Sequence, residues 1–332
     1  MAAKTQIIRT NTADPWWNLA VEEYLLGSQG KDEFILYLWQ NQNTVVIGKN
    51  QNAWRECRTG LLEKEGGKLA RRLSGGGAVF HDMGNLNFTF LMNRNDYNFE
   101  KQIGVIVKAV NKVGIKAEMS GRNDIVVSGK KFSGNAFCFK KNNAYHHGTI
   151  LISADFGKLS RYLQVSEEKI RSKGIESVKS RVANLSEYKP GLSIDEMSDA
   201  LIEAFEEIYG KSDKTWHDVD WMDRDTLLRL YEKYSSWDWR YGETPKFDIE
   251  FSERFKWGGV EIGLKLENGR ISKAYVYSDA MDEEFIGMLP ESLKGCIFVQ
   301  DSMAGCILDL RVDKDKRSMQ EDIAGWIKNK NF

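Results

Sequence analysis

DIVVSGKKFSGNAF (124–137) is the stretch on which the architecture turns. Two runs of strand-forming residues flank Ser128-Gly129, the spacing of a two-residue hairpin turn. Such a hairpin sets its strands antiparallel, and the neighbouring sequence supplies more of them. Residues 34–39, 44–47, 68–73, 78–81, 85–92 and 146–152 all read as strands. Asp14-Pro15 opens a helix with a capping side chain and a proline at its first position. Trp17, Ala20, Val21, Tyr24 and Leu25 then recur at helical spacing and should face a core. Residues 100–113 form a second helix, and Ser193 with Glu196 makes a capping box for a third that ends at Gly210. The texture changes after SSWDWRYGETP (235–245). Residues 260–266 and 271–277, joined by an Asn-Gly turn, form a second hairpin followed by helical patterns. The expected class is α+β. A large domain of mixed or antiparallel sheets with flanking helices occupies 1–245, and a small α+β domain occupies 246–332.

Chemistry collects around the first hairpin. Alternation places Lys131 and Ser133 on one strand face, with Lys130 and Phe132 on the other. A lysine beside small residues can lie against a ligand and stabilise charge on an acyl or phosphoryl oxygen. In isolation it would be a solvent-facing cation. Asn123-Asp124 at the hairpin entrance offers oxygen ligands to Mg²⁺, or simply a turn. Upstream lies RRLSGGGAVFHD (71–82), in which Gly75-Gly76-Gly77 let the backbone approach a ligand closely. It lacks the third glycine of a dinucleotide fingerprint, and no Walker A pattern occurs anywhere. Arg72 shares a face with Ser74 and is the candidate for binding a carboxylate or phosphate. Arg71 points the other way and reads as a solvated surface charge. His146 and His147 alternate, so they cannot chelate one metal together. KGIESVKSRVANL (173–185) carries Lys173, Gly174, Lys179 and Arg181. It is either a polar connector or a flap whose cations close over a phosphate.

Bulk properties narrow the class. The 332 residues are 42% hydrophobic and 29% charged with a net charge of −1, so no global basic footprint favours nucleic acid. Four cysteines are too few and too irregularly spaced for a disulfide framework, which suits a reducing cytoplasm. No secretory h-region and no membrane-spanning run of apolar residues is seen.

Taken together, six segments resemble the lipoate–protein ligase A family, within the superfamily of biotin ligases and lipoyl or octanoyl transferases. They are WWNLAVEEYLL, RRLSGGGAVFHD, GRND…GKKFSGNA, HHGT, KGIESVKSRVANL and WDWRYGETP, in order and across nearly the whole chain. The resemblance implies a two-step reaction. ATP and lipoate form lipoyl-AMP, and the lipoyl group passes to a lysine of a lipoyl domain in a 2-oxoacid dehydrogenase complex or glycine cleavage H protein. It implies Lys131 as the central lysine at the acyl and phosphate oxygens. Gly75, Gly76, Gly77, Ala78 and Val79 would line the lipoyl tail, with Arg72, Ser74 and His147 nearby. Asn123 and Asp124 would serve phosphate and Mg²⁺, with Ser133 and Gly134 beside the adenylate. Lys173, Gly174, Val178, Arg181 and Val182 would belong to the adenylate-binding loop. A cytoplasmic monomer with no nucleic-acid or membrane partner is expected. Two rivals remain: an ATP-independent transferase with Cys138 as nucleophile, and a non-catalytic lipoate-binding protein, which should have lost Lys131 or Asp124.

Overall fold

A computed structural model of the chain describes residues 4–120, 124–164, 182–241, 248–267 and 269–330. The chain divides into two compact units. The first comprises Met1–Val46, Ala53–Arg71 and Val79–Arg240, and the second Ile47–Asn52, Arg72–Ala78 and Tyr241–Phe332. A single cut after residue 245 therefore misses two short segments, one of them the glycine loop. Backbone bonding explains why. Gly76 N–H donates to Ala280 O at 2.9 Å, Lys49 N–H to Ser74 O at 2.9 Å, and Ser278 N–H to Asn50 O at 2.7 Å.

In the first unit the strands are β1 (Lys4–Arg9), β2 (Glu33–Trp39), β3 (Thr44–Ile47), β4 (Lys68–Arg71), β5 (Val79–His81), β6 (Asn85–Asn93), β7 (Ala117–Ser120), β8 (Asp124–Val127), β9 (Lys130–Phe139), β10 (Asn143–Leu151) and β11 (Lys214–Trp216). Eight form one sheet in the order β11-β1-β2-β6-β10-β9-β8-β7, while β4-β3-β5 make a small second sheet. The large sheet is parallel at β11-β1-β2 and antiparallel from β2 through β6, β10, β9 and β8 to β7, a mixed sheet as expected. One of its faces carries Leu36, Leu38, Phe88, Phe90, Ile125 and Ile150 into a core closed by the helices Phe99–Lys112 and Ile194–Tyr209. Both helices begin with a side-chain cap, Asn98 and Ser193 accepting from the N–H groups of Lys101 and Glu196.

The helix Pro15–Ser28 is capped by Asp14 and buries Leu19, Ala20, Val21, Leu25 and Leu26. Trp17 and Tyr24, expected inside, are only partly buried. Trp17 instead packs its ring 5.9 Å from Tyr231 on the helix Arg224–Ser235. The same helix buries two polar side chains one turn apart, Asn18 and Glu22.

His146 points into the apolar core. Its Nδ1 lies 2.9 Å from the Gln102 amide and its Nε2 2.8 Å from the Asn135 amide. Burial first, and then the neighbouring His147, hold its pKa well below the ordinary value of 6.5, so the ring is neutral. A neutral ring donates through one nitrogen and accepts through the other, which an amide at either side can match. An unfolded chain takes up that proton below about pH 6.5 while the folded one does not. Stability is therefore expected to be full above that pH and to fall progressively below it. Melting curves at descending pH check this: His146→Phe should flatten the acid slope, and an unchanged slope would assign it to other groups.

The second unit contains the antiparallel sheet β12 (Ile249–Phe255), β13 (Gly258–Glu267) and β14 (Arg270–Ser278). The helices Glu283–Leu293, Gln300–Leu308 and Arg317–Lys328 follow, closing a core that includes Ile262, Leu264, Phe285, Leu289 and Ile323. The cysteines were not expected to build a disulfide framework, yet Cys296 and Cys306 are joined as one disulfide across ten residues of chain. Cys57 and Cys138 are buried and not disulfide-bonded. Among the described residues no helix is long and apolar enough to cross a membrane.

Candidate active site

The hairpin β8–β9 turns at Ser128 and Gly129, both with positive φ (49° and 75°), the conformation a tight two-residue turn needs. Its ladder then slips. Val126 pairs with Lys131 but Ile125 pairs with Ser133, so Phe132 is an extra residue in a β-bulge. The slip changes which side chains share a face. Ser133, in register with Ile125 and Ile150, turns to the apolar core and is 1% exposed. The expectation that Ser133 accompanies Lys131 is thus overturned, because simple alternation does not survive a bulge. Gly134 takes its place. A Cβ on Gly134 would lie 3.1 Å from both Cε and Nζ of Lys131, so the lysine lies across a position without a side chain. Its Nζ sits 2.6 Å from Asp124 Oδ1, with both side chains partly open to solvent.

Directly paired strand residues share a face, so the register extends this surface across the sheet. Asp124, Gly134, Thr149, Asn87 and Trp39 form one row. Ala136, His147, Thr89 and Tyr37 form the next. His147 thus lies on the Lys131 face and His146 on the other. His147 Nδ1 is 2.8 Å from Glu22 Oε1, which also accepts from Thr89 Oγ1 at 2.7 Å. Trp39 Nε1 in turn donates to Thr89 Oγ1 at 3.1 Å. This buried chain of donors ends on one carboxylate and fixes the His147 ring plane. Glu22, Asn85, Asn87 and Thr89 were not singled out from the sequence. The signal was present as Asn-x-Asn-x-Thr on one strand face, alternating with Leu86 and Phe88.

The glycine loop belongs to the second unit. Arg72 Nε donates to Ser74 Oγ at 3.0 Å, and its Nη2 to the carbonyls of Gly75 and Gly77 at 2.7 and 2.8 Å. Arg72 therefore shapes the loop that the resemblance assigns to the lipoyl tail. Gly75 is obligatory: a Cβ there would meet Ala280 O at 2.4 Å. Val79, the first residue of β5, pairs with Val46 of β3 in the first unit, after Ala78 closes the loop.

Arg71 corrects a second expectation. It is 8% exposed, and its Nε and Nη2 donate to the carbonyls of Trp239 and Arg240 at 2.8 and 2.9 Å. Trp239 Nε1 returns a bond to Arg71 O at 2.9 Å. The other face of that strand is covered by the short helix Trp237–Arg240 rather than by water.

Asn123, Lys173, Gly174, Val178 and Arg181 lie outside the described residues. Val182 forms a parallel bridge with Lys131, and Ala183 N–H donates to Lys131 O at 2.9 Å, so the end of the 173–185 segment is stitched to the lysine's own backbone. Cys138 is 1% exposed in the ladder beside Tyr145, seven positions and about 20 Å along the strand from Lys131. Among the described residues no three His, Cys, Asp or Glu side chains converge as a metal site. Asp124, engaged by Lys131, is not a metal cage by itself. Any Mg²⁺ would arrive with nucleotide phosphates.

Both parts of the chain are similar to known protein families. Residues 14–206 match the lipoyl protein ligase A/B catalytic domain, and residues 244–327 the bacterial lipoate protein ligase C-terminus. Lipoate-protein ligase A of Psychrobacter cryohalolentis is 38% identical over 332 residues, 98% of each chain. The crystal structure of P. falciparum LipL1 in complex with lipoate superimposes with a TM-score of 0.87 at 31% identity, covering 98% of this chain and all of that one. A bipartite lipoate protein ligase of Thermoplasma acidophilum, studied with its E2 lipoyl domain, gives a TM-score of 0.64 at 28% identity, over 75% of this chain and 100% of that one. With both of its parts matched over nearly its full length, the chain belongs to the lipoate–protein ligase family and is a ligase.

Proposed function

We propose that this ligase activates lipoate with ATP and transfers the lipoyl group to a lysine of lipoyl domains in 2-oxoacid dehydrogenase complexes or glycine cleavage H protein. The observation that carries the reading is the Lys131 ammonium laid across Gly134 beside Asp124, on the polar face of the sheet. In the first step a lipoate carboxylate oxygen bonds to the α-phosphorus of ATP, the bond to the β-phosphate oxygen breaks, and pyrophosphate leaves. Two anions must meet, and Lys131 lowers that barrier by stabilising charge on the phosphoryl and acyl oxygens. In the second step the neutral amine of the acceptor lysine attacks the acyl carbon and AMP leaves. Asn123, Asp124, Gly134, Lys173, Gly174, Val178, Arg181 and Val182 serve the nucleotide. Arg72, Ser74, Gly75–Val79 and His147 serve the lipoyl group. Ser133 contributes through its backbone only, since its hydroxyl faces the core. Mg²⁺ accompanies the phosphates as part of the nucleotide substrate. The acceptor class is supported by the Thermoplasma relative, which was studied with an E2 lipoyl domain. The depth of Cys138 weighs against the cysteine transferase reading.

ATP–pyrophosphate exchange with and without lipoate, followed by the mass of an added lipoyl domain, tests both steps. Exchange that ignores lipoate, or an acceptor mass that never rises, would sink the reading. Gly134→Ala is expected to lower lipoate-dependent exchange about tenfold or more, since misplacing a catalytic group by about 1 Å is costly. Its melting temperature should change little. Wild-type exchange in that variant would show that Lys131 reaches its substrate by another path.

A further inference from the structure

Asn87 is the one member of the catalytic row whose side chain is both buried and left with free donors. It is 1% exposed, its Oδ1 accepts from Asn85 Nδ2 at 2.9 Å, and its own Nδ2 has no hydrogen-bond partner. Asn85 is the donor within the pair, so the uncommitted NH₂ is that of Asn87. A buried donor left unpaired destabilises a fold, and such groups are kept where function uses them. Its place in the sheet indicates the use. Asn87 pairs with Thr149, Thr149 with Gly134, and Gly134 lies beneath the Lys131 amine. The two strand spacings from Gly134 to Asn87 make about 10 Å. The floor between them is a glycine and a threonine, low enough for a small polar group to lie along it.

We propose that Asn87 is a further substrate-binding residue, donating its amide N–H to an acyl oxygen of the bound acid. Lys131 then holds the phosphoryl side of the mixed anhydride and Asn87 the acyl side. This rests on the ATP-dependent activation proposed above. The same donor meets the lipoate carboxylate before the anhydride forms and the acyl carbonyl afterwards.

Stability and binding separate this role from a structural one. Asn87→Leu removes an unsatisfied group at similar volume, so the ligand-free melting temperature should hold or rise. Lipoate affinity by calorimetry, and KM for lipoate in pyrophosphate exchange, should each worsen about tenfold or more. KM for ATP should stay within about twofold. Asn87→Asp, equal in size but repelling a carboxylate, should weaken lipoate binding at least as much, and it carries the test if the leucine variant does not fold. An Asn87→Leu protein that is more stable and binds lipoate as the parent does would overturn the proposal, as would a change confined to ATP. A parent protein that binds lipoate but catalyses no exchange would instead defeat the ATP-dependent reading, while the calorimetric comparison still decides Asn87.

Discussion

Replacing Lys131 by alanine is expected to lower lipoate-dependent ATP–pyrophosphate exchange by about 10²–10³-fold, the range seen when one donor to a developing oxyanion is removed. The same substitution should barely change stability. The Lys131 and Asp124 side chains are 35% and 40% exposed, and an ion pair so open to solvent contributes about 1 kcal/mol or less. No apolar contact in the core depends on the lysine, because the bulge sends Phe132 inward in its place. The variant should therefore melt close to the parent while losing turnover, separating a chemical role from a structural one. Lys131→Arg keeps the charge but needs room for a planar guanidinium above Gly134, and should recover only part of the activity. Exchange within a few-fold of wild type in Lys131→Ala would move the charge-stabilising role to another cation.

The surroundings of this lysine show what local sequence does and does not carry. Ser128-Gly129 was readable because a turn with two positive φ angles admits few residue types. The caps at Asp14 and Ser193 were readable for the same reason: the side chain and the bond it makes lie within one turn of each other. The bulge at Phe132 leaves no such mark. Nothing in KKFSGNA distinguishes a strict period of two from one with an extra residue, so counting carried Ser133 to the wrong face and missed that Gly134 makes the room. Asn85, Asn87 and Thr89 were legible as an alternation, but a polar stripe acquires meaning only when the register places it level with Lys131. The glycine loop's membership of the second unit depends on Ala280, some two hundred residues away, and no local pattern reports such a contact.

Arg71→Ala, which the sequence alone would rate a mild surface change, is expected to be among the most destabilising single substitutions in the first unit. Alternation was right that Arg71 and Arg72 point apart. It could not say what covers the far side, since Trp239 and Arg240 lie about 170 positions later in the chain. The guanidinium donates to both carbonyls where the first unit ends, and Trp239 Nε1 donates back to the Arg71 carbonyl. Truncation leaves two carbonyls without this cation and opens a void where an 8%-exposed side chain had packed. Hydrogen bonds to a charged donor contribute about 1.5–3 kcal/mol, so a loss of about 2–4 kcal/mol is expected. Arg71→Lys should recover only a fraction, because a single ammonium cannot reproduce a fork aimed at two successive carbonyls. Trp239→Phe, which deletes only the return bond, should cost less, about 1 kcal/mol. Urea unfolding of the three variants orders them directly. A midpoint for Arg71→Ala within error of the parent would mean that water replaces the guanidinium at no cost, and that the helix Trp237–Arg240 is held to β4 by its aromatic packing alone.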